Sequence, residues 1–179
     1  MTCVVALREN GATWLGGDSA ATRGQETRAT TQEKVFRLNG TLVGYTSSFR
    51  MGQLLQHELE LPDYNVGSSY FYMVRKFVPA VRKLFKDSGY ARIDSNEEGG
   101  GEFVVCLNEH IFTVYSDYAV LEHLDPFHAI GCGADYALGA LEVLYSCNMA
   151  PSEKVMSALA VAAKFSSGVA APFNIVHLN

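Results

Sequence analysis

Apolar and polar residues alternate from the first positions onward, and the period of that alternation changes along the 179-residue chain. Residues 2–8 and 12–17 alternate or are apolar, and between them stands Asn10-Gly11, a pair that accepts the positive backbone angles of a two-residue hairpin turn. Residues 34–38 and 41–45 repeat the arrangement around Asn39-Gly40. These two hairpins predict an antiparallel sheet. The period then lengthens. Residues 49–59 form a weakly patterned helix, and within 70–86 the residues Val74, Phe77, Val78, Val81, Leu84 and Phe85 recur at helical spacing. Pro79 lies inside this stretch and is expected to kink or divide it.

Residues 92–101 are polar, acidic and glycine-rich, and they predict a flexible solvated loop; the ligand spacing of a calcium loop is missing. Residues 102–108 and 110–116 predict another hairpin turning near Asn108-Glu109. A short strand ending at Gly131 leads to helices over 134–147 and 152–166, and a strand over 173–178 follows. Ala137, Leu141, Leu144 and Tyr145 give the first of these helices an apolar face. Pro151-Ser152 opens the second, whose Ala158, Ala160, Ala162 and Ala163 allow close packing. Each helix pair needs an apolar surface to cover, and each sheet needs its outer face covered. The expected fold class is therefore α+β, with two antiparallel sheets face to face and helices outside each, in one domain spanning residues 1–179.

Composition narrows the function. Apolar residues make up 48% of the chain and charged residues 18%, an ordinary globular balance. No apolar run approaches the ~20 residues of a membrane span. The start of the chain carries no basic, long-apolar secretory pattern, so a cytoplasmic protein without membrane contact is expected. The net charge is −5, and Arg75-Lys76 and Arg82-Lys83 fall on one predicted helix as a solvated face. Nucleic acid is not the expected partner. Cys3, Cys106, Cys132 and Cys147 are widely spaced and expected to be reduced. With no CxxC pair, a zinc site is not expected, and nothing in the sequence asks for a cofactor.

Several familiar patterns fail. His57-Glu58 lacks the second histidine of a metalloprotease helix, since position 61 is Leu61. Gly131-Cys132-Gly133 has Tyr136 where a dinucleotide loop needs its third glycine. His123 and His128 are five residues apart, off the spacing of one helix face. No G-x-S-x-G elbow is present. What remains is Thr2. Threonine is small enough for Met1 to be removed, and a terminal threonine joins a hydroxyl nucleophile to an amine able to take its proton. A free α-amine titrates near ~7.7–8.0, close to working pH.

Thr2, Gly17-Asp18 closing the second strand and Lys34 opening the third stand in the register of proteasome β-type subunits, and most resemble the bacterial HslV-like peptidases. Gly44-Tyr45-Thr46-Ser47, Ala129-Ile130-Gly131-Cys132-Gly133 and Ser167-Gly168 extend the resemblance over almost the whole chain. The resemblance implies an αββα N-terminal-nucleophile hydrolase and a threonine peptidase acting after loss of Met1. It assigns Thr2 as nucleophile, Lys34 as the cation beside it and Asp18 as the partner of Lys34. The Ser47 backbone N–H becomes an oxyanion donor, while Cys132 and Ser167 stand near the terminal amine. It also implies self-association into rings, an AAA+ ATPase unfoldase as partner and unfolded polypeptides as substrates. The helix over 70–86 and the alanine-rich helix are candidate ring contacts. The pocket beside Thr2 would draw on Ala21, Thr31, Glu33, Tyr45 and Phe49. Three positions depart from the family pattern. Cys132 replaces a serine, Lys164 stands where an aspartate is common, and Ser47-Ser48 occupy a glycine position. The alternative reading is a non-catalytic ring or shell subunit on the same fold.

Overall fold

Strands β1 (Val4–Glu9) and β2 (Ala12–Gly17) meet through Asn10 and Gly11, whose φ values of 56° and 76° are the left-handed angles the pair was expected to supply. The same device, at Asn39 (42°) and Gly40 (79°), joins β5 (Val35–Leu38) to β6 (Thr41–Tyr45). A computed structural model describes residues 1–24, 26–65 and 67–179. Between these hairpins runs one that was not anticipated, β3 (Ala20–Arg23) with β4 (Glu26–Ala29). All of β4 is exposed, so no apolar stripe betrays it.

Helix α1 (Phe49–His57) is capped by the Ser48 hydroxyl, which accepts from the Met51 N–H at 3.4 Å. The next helical run begins as α2 (Ser69–Tyr72), widens into a π turn over Met73–Phe77 and continues as α3 (Val78–Asp87). Pro79 thus divides the helix without breaking it. The wider turn lets Val78 N–H reach back to Met73 O, just ahead of the proline that has no N–H to give. The expected solvated loop is instead a small exposed hairpin, β7 (Arg92–Asp94) with β8 (Glu97–Gly99). Ser95 (φ 52°) and Asn96 (φ 70°) make its turn without glycine.

The remaining strands are β9 (Phe103–Leu107), β10 (His110–Val114), β11 (Val120–Glu122), β12 (Phe127–Ile130) and β13 (Asn174–Leu178); helices α4 (Ala134–Leu144) and α5 (Pro151–Phe165) separate the last two. β11 was not anticipated, and Tyr145, placed on the apolar face of α4, is exposed just beyond that helix. The strands form two antiparallel sheets, in the orders β12-β1-β2-β13 and β11-β10-β9-β6-β5. Successive side chains of β1 point to opposite faces, and both faces are covered. Val4 and Ala6 join Leu15, Leu42 and Val104 between the sheets, while Cys3, Val5 and Leu7 pack with Val155, Ala158, Leu159 and Ala162 of α5. A third apolar cluster joins Val43, Phe103 and Phe112 to Leu54, Phe77, Val81 and Phe85 of the other helices. Burial of each Val, Leu or Phe side chain among these contributes about 1.5–3 kcal/mol. Among the described residues no helix is long and apolar enough to cross a membrane.

Candidate active site

The start of β1, the end of β2, the entry to β5 and the turn after β12 converge on Thr2. Gly17 makes the convergence possible, because a Cβ there would lie 2.9 Å from Val35 Cγ1 and push β5 away. Its absence brings Lys34 against Asp18. The two side chains are essentially buried, with Lys34 Nζ 3.0 Å from Asp18 Oδ1. Burial pulls the Lys34 ammonium below the usual lysine range, and Asp18 partly opposes the shift. Asp18 does more than pair. Its Oδ1 also accepts from Cys3 N–H at 2.9 Å, and its Oδ2 accepts from the N–H groups of Ala20 (2.8 Å) and Ala170 (3.4 Å).

Thr2 is 4% exposed. With Met1 attached, its nitrogen is an amide and donates to Cys132 Sγ at 3.4 Å. Its hydroxyl donates to Met1 O at 2.5 Å, and Lys34 Nζ donates to the same carbonyl at 3.2 Å. The Met1 ammonium reaches Thr22 Oγ1 at 3.0 Å. Gly131 (φ 93°) carries the turn that holds Thr2 from below; a Cβ there would sit 2.3 Å from the Thr2 carbonyl oxygen. That oxygen accepts from Gly133 N–H (3.3 Å) and from the Cys132 thiol (3.4 Å).

Ser47 stands across a cavity of about 80 Å³ that is also lined by Thr2, Lys34, Tyr45 and Phe49. Its φ is 68°, a strained angle for serine, and among the described residues its backbone N–H meets no acceptor. Lys34 Nζ lies 5.8 Å from the Phe49 ring centroid. Burial pushes the Tyr45 phenol up to about 12, and its hydroxyl donates to Glu33 O at 3.2 Å.

Thr2, Asp18, Lys34, Ser47 and Cys132 are therefore brought together, and Ser167 is not. Ser167 is exposed and offers only its carbonyl, to Thr27 Oγ1 at 3.2 Å. The hydroxyl that meets Cys132 Sγ belongs to Ser166, at 3.5 Å, because Ser166 caps α5 and turns inward. Gly168 matters instead of Ser167: a Cβ there would strike Met1 and Cys132. Lys164 is exposed above the Phe165 ring. Of the residues expected to line the pocket, Tyr45 and Phe49 do so; Ala21, Thr31 and Glu33 do not border the cavity. Thr22 and Thr46 border it instead, with no signal in the sequence beyond their neighbours.

The other candidates lie elsewhere. His123 and His128 stack at 3.5 Å, and His123 Nε2 lies 2.8 Å from Thr113 Oγ1. Burial, with each ring disfavouring a charge on the other, holds His128 down to about 4. No metal-binding group of three or more His, Cys, Asp or Glu occurs among the described residues. Cys3 is buried, and burial together with Asp18 raises its thiol to about 12, so it is no nucleophile. Arg82 is bonded to Glu98 Oε2 at 3.0 and 2.7 Å, and Lys83 pairs with Asp87.

No family profile matches the chain. The ATP-dependent protease subunit HslV of Aquifex aeolicus (strain VF5) is 26% identical over 168 residues, covering 91% of this chain and 89% of HslV. Thiobacillus denitrificans BPH in complex with Epoxomicin superposes with a TM-score of 0.79 at 21% identity, covering 98% of this chain and 97% of the other. Eukaryotic HslV from Trypanosoma brucei gives a TM-score of 0.70 at 20% identity, with 98% of each chain covered. The structural likenesses speak to the fold, and the likeness to the Aquifex protein runs nearly end to end: the chain resembles the proteasome β-type, HslV-like proteins.

Proposed function

We propose that this protein is a threonine-type peptidase subunit, active once Met1 is removed. The observation that carries the reading is the gathering of Thr2, the Asp18–Lys34 pair and the unpartnered Ser47 N–H around one cavity. With Met1 gone, the Thr2 nitrogen becomes an amine that takes the hydroxyl proton as Oγ1 attacks a peptide carbonyl. The Ser47 N–H bonds the resulting oxyanion. Collapse passes the proton to the departing amine and leaves an ester on Thr2, which water hydrolyses. Lys34 keeps the local potential positive, and Asp18 keeps Lys34 in place.

The three apolar clusters support a four-layer αββα arrangement, with all 179 residues in one domain. The relationship to an ATP-dependent protease subunit supports ring assembly in the cytoplasm, with an ATPase delivering unfolded polypeptide. Exposed Tyr70, Phe71 and Val74 on the first helical pair, and Met156 on α5, are apolar surface for such contacts.

A second reading, an inert ring subunit, is favoured by Met1 itself, whose ammonium and carbonyl both find partners in the site, and by the weak thiol at Cys132. Intact mass of the assembled protein separates the two. Loss of one methionine, with an epoxyketone such as epoxomicin labelling Thr2 and failing on Thr2→Ala, supports the peptidase. Full retention of Met1 removes it.

A further inference from the structure

Ser47 and Ser48 border more than the cavity beside Thr2. The same two residues border a second, open groove of about 490 Å³, whose far wall holds Tyr90, Arg92, Glu102 and Tyr115. Its position is tied to the first cavity by the backbone, since Thr46 N–H bonds Glu102 O at 3.1 Å, one residue before Ser47. The wall is packed from behind. Tyr90 stacks edge-on against Phe85 at 4.9 Å, and Gly101 lies so close to Met51 that a Cβ would meet its sulfur at 2.5 Å.

Within this groove Glu102 is unusual. It is half-buried, yet among the described residues its carboxylate has neither an ion pair nor a hydrogen-bond donor. Arg92, on the exposed β7–β8 hairpin, borders the groove without pairing to it. A solvated guanidinium needs no partner, whereas a desolvated carboxylate gains from one. Burial accordingly raises the Glu102 carboxyl above its ordinary range. A cation arriving with a bound chain would supply what the fold withholds.

We infer that Glu102 is a specificity-determining residue, and that the groove beyond Ser47 and Ser48 takes a lysine or arginine side chain of the substrate at a position flanking the bond to be cut. Tyr90 and Tyr115 lie against the aliphatic stem of that side chain while Glu102 meets its head. The inference rests on the peptidase reading for turnover, but the binding selectivity does not depend on it.

The test uses the assembled protein and fluorescent peptides identical except for Lys, Gln or Glu at each position flanking the cleavage site. Hydrolysis is followed with the wild type, and equilibrium binding with Thr2→Ala, which still permits loss of Met1. Both assays should favour Lys over Gln by about tenfold at one flanking position, with Glu weakest. Glu102→Gln should bring the ratio close to one, and Glu102→Lys should turn it toward Glu. No peptide binding, no basic preference, or a preference that survives Glu102→Gln would each overturn the inference. Binding selectivity that collapses in Glu102→Gln without any hydrolysis by the Met1-free wild type upholds the groove and removes the peptidase reading. Should Glu102→Gln not fold, the wild-type ranking of Lys, Gln and Glu peptides decides.

Discussion

Two lysines are buried beside carboxylates at opposite ends of β1, about 20 Å apart by strand length, and they are held very differently. Lys154, near the start of α5, has both Glu9 oxygens at 2.9 and 3.1 Å, the Tyr145 carbonyl at 2.9 Å and the Tyr145 ring at 5.4 Å. All three of its donors have a partner within the fold. Lys34 has one Asp18 oxygen, because the rest of that carboxylate is taken by three backbone N–H groups, and a carbonyl belonging to Met1. Its bonding is completed by the one residue proposed to leave. A lysine–carboxylate pair thus closes one end of the sheet and leaves the other end chemically open.

Breaking each pair should therefore have opposite signatures. Lys34→Ala is expected to lower kcat/KM by about 10³-fold or more, with the folded protein still recovered by gel filtration. Lys154→Met should leave activity per folded subunit nearly unchanged, while chemical denaturation reports a loss of about 3 kcal/mol from the stranded Glu9. If Lys154→Met abolishes turnover instead, the contrast between the two ends is wrong.

A pH profile sharpens the same point. Lys34 carries a lowered pKa because it is buried, so turnover should decline as pH rises through a range below that of an ordinary lysine. Asp18 raises that pKa, so Asp18→Asn should move the alkaline limb to lower pH as well as reduce the rate. An unmoved limb would mean that another group sets it. The smallest effect concerns how firmly the open end is held. Cys132→Ser places a stronger hydrogen-bonding group beside the Thr2 nitrogen and should raise kcat by about threefold to tenfold. No change, with epoxyketone labelling equally unaltered, would show that the Cys132 contact is not limiting.

The sequence announced the parts that local chemistry controls. Asn10-Gly11 and Asn39-Gly40 turn where expected because few pairs accept two positive φ angles, and these turns set the register that carries Asp18 and Lys34 toward Thr2. The β3–β4 and β7–β8 hairpins escaped notice because they are largely or wholly exposed, and a strand without an apolar face leaves no period to read. Ser166 and Ser167 could not be told apart, since which hydroxyl turns toward Cys132 depends on where α5 stops. The triple acceptance by Asp18 was also invisible, because it involves backbone N–H groups as far away as Ala170.

That last contact carries a consequence for how such a subunit is made. One carboxylate fastens the segments at Cys3, Ala20, Lys34 and Ala170, so the proposed site is complete only after all four have docked. On the peptidase reading, a misfolded copy therefore holds Thr2 without the surroundings that would arm it.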